Sequence, residues 1–334
     1  MADLPQKACF KPQRVLVLGA TGTIGKAAVR ALIAAGHETV CFLRPRPDGG
    51  NPAGLFPAEA VLRFGDVTDE GSFLRDGYRG EHFDVLMSCL ASRTGLPEDA
   101  WAIDYRANAL ALAAARKANI RHVVLLSAIC VQKPVLAFQH AKLACEKLLI
   151  ESGLTYSIVR PTAYFKSLSG QIGRVRDGKP FLVFGDGRLT ACKPISDDDL
   201  GRFLAACVSD PDLHNKVLPV GGPGEAITPI AQGERLAALF GTQPRFRHVP
   251  VAMLDAIVFV LGSLGRVSPR LRAKAELARI GRYYATESML LWDAQAQRYD
   301  AALTPSFGTE TLFDYYVRAA RGETADDRGE HAVF

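Results

Sequence analysis

Three glycines, Gly19, Gly22 and Gly25, fall in the run V-L-V-L-G-A-T-G-T-I-G at 15–25, just before the helix-like A-A-V-R-A-L-I-A-A-G. A strand, a turn without Cβ atoms and a helix, in that order, suit a dinucleotide pyrophosphate. The turn lets backbone N–H groups approach the phosphates, and the helix N-terminus adds partial positive charge. Gly19, Thr21, Gly22, Thr23, Ile24 and Gly25 are the expected contacts. The next apolar run, E-T-V-C-F-L at 38–43, ends in Arg44, with Arg46 close behind. A site for an unphosphorylated ribose places Asp or Glu about 20 residues past the glycines. The planar cationic fork of Arg44 instead suits a 2′-phosphate, so the expected cofactor is NADP(H).

Further candidate contacts lie where later apolar runs end. In Gly65-Asp66-Val67, Asp66 could accept from the adenine amino group or cap the helical segment after Thr68. Ser88-Cys89-Leu90-Ala91 is small enough for the ribose and nicotinamide half to pass close by. Ser127 would present a hydroxyl near the nicotinamide, and Pro161 closes the run after it.

These residues need a scaffold, and the pattern supplies one. Short apolar runs at 15–18, 39–43, 61–64, 85–90, 122–127 and 156–160 alternate with helical stretches at 26–35, 70–75, 101–118 and 138–152. Such alternation predicts a Rossmann-type α/β fold, a doubly wound parallel sheet whose ligands bind at the carboxyl ends of the strands. Residues 14–160 are expected to form the NADP-binding domain, with a last strand returning at 217–220. Residues 161–318 are expected to form a smaller C-terminal α+β substrate domain. Within it, 179–192 reads as a hairpin turning at Gly185-Asp186-Gly187, and 232–240 as a helix. The charged tail 321–334 reads as disordered.

Composition narrows the function. The 334 residues are 48% hydrophobic, enough for a large core, and the net charge is only +5, which gives no footprint for nucleic acid. The seven cysteines are scattered without a C-x-x-C pair, so they read as buried small hydrophobes in a reducing cytoplasm rather than disulfides or metal ligands. Positions 1–13 are short, polar and proline-containing, unlike a signal peptide. The expected location is cytoplasmic, with a peripheral contact at a membrane surface left open.

The glycine turn, G-D-V at 65–67 and D-Y-R-A-N-A-L-A-L-A-A-A-R-K-A-N-I-R-H-V-V-L-L-S-A at 104–128 resemble the extended and atypical short-chain dehydrogenases/reductases. That superfamily carries a Tyr-x-x-x-Lys pair whose tyrosine moves the proton. The matching window here is Phe138-Gln139-His140-Ala141-Lys142: the lysine is kept and the tyrosine is not. Phenylalanine cannot donate a proton, which disfavours ordinary carbonyl or alcohol redox. The resemblance leaves Lys142 to hold the nicotinamide ribose and to place positive charge beside the ring.

More specific blocks follow. R-P-T-A-Y-F-K-S-L-S-G-Q at 160–171, the C-K-P-I-S segment at 192–196, V-L-P-V-G-G-P-G at 217–224 and I-G-R-Y-Y-A-T-E-S-M-L at 280–290 resemble the NADPH-dependent 8-vinyl reductases of chlorophyll and bacteriochlorophyll biosynthesis. The resemblance implies reduction of a vinyl group on a divinyl (proto)chlorophyllide, a tetrapyrrole. A vinyl conjugated with a macrocycle can spread charge over a large π system, so it needs less local acid catalysis than a carbonyl. A flat tetrapyrrole needs a wide apolar slot. Phe138, Tyr164, Phe165, Phe181 and Phe184 are candidate walls, and His140 is a weak candidate ligand for the ring magnesium. The apolar 253–264 reads as a flap over the slot or as a buried helix. The basic 266–282 could pair a propionate or rest on an anionic membrane. Two other readings remain: a catalytically silent NADP sensor of the NmrA-like kind, and an isoflavone-reductase-like C=C reductase of a smaller substrate.

Overall fold

The computed structural model describes residues 11–45, 50 and 52–323. Strands β1 (Arg14–Leu18), β2 (Glu38–Leu43), β3 (Val61–Phe64), β4 (Val85–Ser88), β5 (His122–Leu126) and β6 (Thr155–Pro161) lie in one parallel sheet. The chain then leaves the sheet for β7 (Phe181–Phe184) and rejoins it as β8 (Lys216–Val220), giving the order β3-β2-β1-β4-β5-β6-β8. The expected parallel sheet and its returning last strand are both present. Pro219 is tolerated because β8 is an edge strand, where one row of N–H groups has no partner to lose.

The alternation of β1 explains the two layers of helices. Val15 and Val17 point into one apolar cluster, while Leu16 and Leu18 point into another, and all four are fully buried. A strand buried on both faces needs cover on both. The helices that supply it are α1 (Thr23–Ala34), α2 (Asn108–Lys117), α3 (Ala137–Glu151) and α4 (Asp197–Ser209). α1 and α4 cover the Val15 side, α2 and α3 the Leu16 side. A Cβ on Gly201 of α4 would lie 2.6 Å from the carbonyl oxygen of Ala27, so the two helices meet at backbone contact.

After Pro161 the chain builds a third apolar cluster from Phe165, Ile172, Val175, Phe181, Val183, Ile230, Leu236, Leu312 and Tyr316. Here the hairpin expected over 179–192 is corrected. β7 pairs in parallel with β9 (Phe246–Val249), Phe181 opposite Phe246. The glycine turn at 185–187 forms, but the chain beyond it does not fold back on β7. An alternating apolar run looks the same whichever partner it takes. The choice falls to helix α5 (Pro229–Leu239), where Gly233 admits the rings of Phe181 and Phe246.

Two helices follow, α6 (Val251–Leu264) and α7 (Pro269–Thr286), packed on each other as an antiparallel pair. No residue of α6 is buried, so the 253–264 segment is not a core helix. Among the described residues no helix is long and apolar enough to cross a membrane. A short hairpin, β10 (Leu291–Asp293) with β11 (Arg298–Asp300), and helix α8 (Leu312–Ala320) complete the fold. Of the tail, 324–334 lies outside the described residues, as does Arg46.

Candidate active site

The β1–α1 turn is shaped by what it cannot hold. Gly19 has φ +70°, and a Cβ there would lie 2.5 Å from the carbonyl oxygen of Cys89 at the end of β4. A Cβ on Gly25 would lie 2.2 Å from the carbonyl oxygen of Gly19. Thr21 and Gly22 are exposed at the crest, whereas Ile24 and Gly25 are buried beneath it. Gly22 caps α1 without any side-chain hydrogen bond, and no acid occupies the first turn. The helix therefore offers uncapped N–H groups and its positive end to an anion, and this cradle fits a dinucleotide pyrophosphate.

Arg44 is exposed at the end of β2 and Asp66 at the end of β3. Asp66 accepts hydrogen bonds from the Thr68 amide at 2.8 Å and the Thr68 hydroxyl at 2.7 Å. These bonds, with Arg44 adding a weaker pull, hold its carboxyl below the usual range. Asp66 is not the helix cap. Asp69 takes that role by accepting from the amides of Gly71 and Ser72, because only it directly precedes the helical turn. Val67 is buried beside it. Arg44→Ser is expected to weaken NADPH binding about 10- to 100-fold, the worth of a charged hydrogen bond of about 1.5–3 kcal/mol, while NADH binding changes little. Fluorescence titration of both nucleotides checks this, and an unchanged NADPH:NADH ratio would remove Arg44 from the phosphate.

Cys89 is buried, and burial pushes its thiol up to about 12, so it presents a small neutral surface. Pro161 is buried at the end of β6. Ser127 is a correction. Its hydroxyl donates to Glu146, which also accepts from Arg160 Nε at 3.1 Å, so its proton is turned into the core. A buried carboxylate on α3 is a stronger acceptor than any neutral ligand group.

Lys142 lies on α3 with its Nζ 2.9 Å from Asp104 Oδ1, the two side chains 12% and 0% exposed. Burial works to lower the lysine pKa, but Asp104 more than offsets it and holds the ammonium above its ordinary value. Asp104 sits in a wide helical turn, Trp101–Ala107, and also faces the Ser92 amide at 3.4 Å. Asn108 follows one turn later and accepts from the Ser88 hydroxyl at 2.6 Å. Neither Asp104 nor its pairing with Lys142 was expected. The available signal was an acid on the apolar stripe of W-A-I-D-Y-R-A-N-A-L.

Phe138, one turn before Lys142, is half-buried and packs on an apolar cluster that includes Ile129, Cys130, Leu136, Ile280 and Tyr283, as do Ala163 and Tyr284. α7 thus brings two phenols, Tyr283 and Tyr284, to the cluster on which Phe138 packs. Tyr283 donates to the carbonyl oxygens of Cys130 at 2.9 Å and Lys133 at 3.3 Å. Among the described residues the Tyr284 hydroxyl bonds only to the Cys130 thiol, Oη to Sγ 3.9 Å. Tyr164, half-buried after β6, lies within electrostatic range of Cys89, Cys130 and Tyr284. Two other proposed walls are corrected. Phe165 and Phe181 are 2% and 4% exposed and belong to the C-terminal core, Phe165 against Tyr315 and Phe181 against Phe246. His140 is exposed, whereas Lys142 is not, so it does not share the lysine's site.

The chain matches the NAD(P)H-binding family over residues 19–211. An Escherichia coli NADPH-dependent quinone oxidoreductase complexed with NADPH shares the fold, at a TM-score of 0.65 and 17% identity over 92% of this chain and 99% of that one. Two plant proteins are much closer in sequence, both named divinyl chlorophyllide a 8-vinyl-reductase, chloroplastic. The one from Oryza sativa subsp. indica is 47% identical over 96% of this chain and 82% of its own length. The one from Arabidopsis thaliana is 44% identical over 96% and 80%. Their chloroplastic location overturns the expectation of a cytoplasmic protein, which rested on nothing more than a short polar start and unpaired cysteines. With that identity spread over 96% of its length, the chain belongs to the divinyl chlorophyllide a 8-vinyl-reductase family.

Proposed function

We propose that this chain reduces the 8-vinyl group of a divinyl chlorophyllide to an ethyl group with NADPH, and that Lys142 is the residue on which the site turns. The observation that carries the reading is a buried ammonium at the cofactor end of the sheet, beside a phenylalanine where a carbonyl reductase needs a phenol. NADPH, when bound, supplies a hydride. The chain's own residues do the rest. The Gly19–Gly25 turn binds the pyrophosphate and Arg44 the 2′-phosphate. Lys142, fixed by Asp104, holds the nicotinamide ribose and keeps positive charge next to the ring. Phe138 and Tyr164 wall an apolar slot that excludes water and keeps the pigment face to face with the nicotinamide. In this assignment 14–160 with β8 serves the cofactor, and the segment to 318 serves the substrate.

The test is incubation with NADPH and divinyl chlorophyllide followed by chromatography for the monovinyl product. Tight NADPH binding without product would favour the NmrA-like sensor instead.

The same proposal includes a peripheral contact with the photosynthetic membrane. α6 exposes Met253, Ile257, Phe259, Val260 and Leu264, Phe259 at 74%, and exposed Arg266, Arg270, Arg272 and Lys274 follow directly. Apolar side chains beside a basic row suit an anionic lipid surface. Phe259→Asp is expected to weaken sedimentation with phosphatidylglycerol vesicles about 10- to 100-fold, the loss of one buried aromatic side chain worth about 1.5–3 kcal/mol. Equal sedimentation of variant and parent would sink the contact.

A further inference from the structure

We infer that Tyr284 delivers the proton that completes the reduction, from α7 rather than from the helix that carries Lys142. The inference rests on the reductase reading and adds the donor that Phe138 cannot be.

Hydride addition leaves a second hydrogen to be supplied as a proton, and the group that supplies it must be acidic, unspent and within the site. Other tyrosines of the C-terminal half fail the second requirement. Tyr283 is committed to two backbone carbonyls, Tyr299 to Glu287, and Tyr316 to the Leu168 carbonyl at 2.9 Å. Among the described residues the Tyr284 hydroxyl makes one weak hydrogen bond, to a thiol at 3.9 Å, which leaves its O–H free to turn to a ligand. Its place is fixed from several sides. Its ring stands edge-on to Tyr283 at 5.6 Å and shares an apolar cluster with Phe138, Ala128 and Ala163, which follow the carboxyl ends of β5 and β6 or open the Lys142 helix. Cys130, the thiol it touches, is itself within electrostatic range of Lys142. Phe138 and Tyr284 are thus the two rings of one wall, and only one of them carries a proton.

The groups facing Tyr284 are Cys130 after β5, Tyr164 after β6, Tyr283 on its own helix and Lys142 on α3 beyond the thiol. Burial holds the Tyr284 hydroxyl well above its ordinary value, so it stays a protonated acid through the neutral range. In the step itself the hydride forms a C–H bond at one vinyl carbon, and the double-bond pair moves into the conjugated ring system. The Tyr284 O–H bond breaks, its proton forms the C–H bond at the other vinyl carbon, and the tyrosinate takes a proton from water.

Tyr284→Phe removes the hydroxyl and little else. It is expected to lower turnover about 10²- to 10⁴-fold, the span of general acid catalysis, with NADPH affinity by fluorescence titration unchanged. Fluorotyrosine placed at 284 keeps the ring's size and lowers the phenol's pKa, so the alkaline limb of the rate profile should move to lower pH. The phenol's own absorbance titration in the free protein should shift in parallel. An active Tyr284→Phe enzyme, or an alkaline limb that fluorotyrosine leaves in place, overturns the assignment alone. A parent protein that binds NADPH and makes no monovinyl product overturns the reductase reading with it.

Discussion

Lys142→Met is expected to lower the free energy of unfolding by about 3–5 kcal/mol, the usual result of removing one partner from a buried ion pair. Asp104 is the reason. Its side chain is wholly buried, and its nearest cation is the Lys142 ammonium at 2.9 Å. Methionine fills much the same volume, so the loss reports an uncompensated carboxylate rather than a cavity. Turnover should fall about 10²- to 10³-fold as well, because the positive charge fixed beside the ring goes with the ammonium. A double variant, Lys142→Met with Asp104→Asn, separates the two effects. Asparagine carries no charge to strand and still accepts from the Ser92 amide, so most of the stability should return while turnover stays low. Urea melts and single-turnover rates on the three proteins check this. Recovery of turnover along with stability would show that Lys142 acts only as a strut.

The pH dependence of that deficit has a definite sign. Burial alone would lower the lysine's pKa, yet Asp104 raises it above the ordinary lysine value. A group whose folded-state pKa is raised contributes stability that is fully present below its unfolded pKa and is lost as pH rises through the folded one. The lysine's contribution to the gap should therefore stay flat across the neutral range and be lost only in strong alkali. A gap that closed between neutral pH and mild alkali would mean that Asp104 does not hold the ammonium charged.

What could be read from the chain beforehand follows the range of the interactions involved. The β1–α1 turn was legible because its glycines, strand and helix are contiguous, and the strands through 156–160 were legible because a buried parallel strand is a short apolar run whatever surrounds it. Partners far apart in the chain were not. The hairpin expected at 179–192 failed because β7 takes β9, a choice made by rings meeting over Gly233. Phe165 and Phe181 look like slot walls and like core in the same letters, and only the cluster with Ile230 and Tyr316 assigns them to the core. Ser127 carries the right hydroxyl in the right place, but Glu146 on a separate helix takes its proton. The 253–264 stretch is apolar enough for an interior, yet α6 lies with no buried residue. Asp104 and Tyr284 both stand in segments with a clear pattern, and it took α3 and α7 converging to give either a role.

Gly25→Ala is expected to abolish useful NADPH binding, a loss of about 100-fold or more from moving the phosphate-facing backbone by about 1 Å. The added methyl would lie 2.2 Å from the Gly19 carbonyl oxygen and 2.8 Å from the Ala20 Cα. Both are backbone atoms of the turn itself, so no side chain can swing aside, and relief requires opening the turn or tilting the start of α1. Overpacking of this kind costs about 1–3 kcal/mol of stability and occasionally more, so the protein should remain folded with a lower melting temperature. Gly36 supplies the control, at the other end of the same helix. Its φ is +86° and a Cβ there would meet nothing within 4 Å, so Gly36→Ala strains the backbone locally and leaves the turn alone. Gly36→Ala should therefore lose about 1 kcal/mol of stability, the scale of a side chain forced into the left-handed region, and bind NADPH as the parent does. Nucleotide titration and thermal melts on the pair distinguish a damaged anchor from a merely weakened helix. If Gly25→Ala bound NADPH normally, the turn would not be the phosphate anchor, and Arg44 and Lys142 would lose the one ligand that links them.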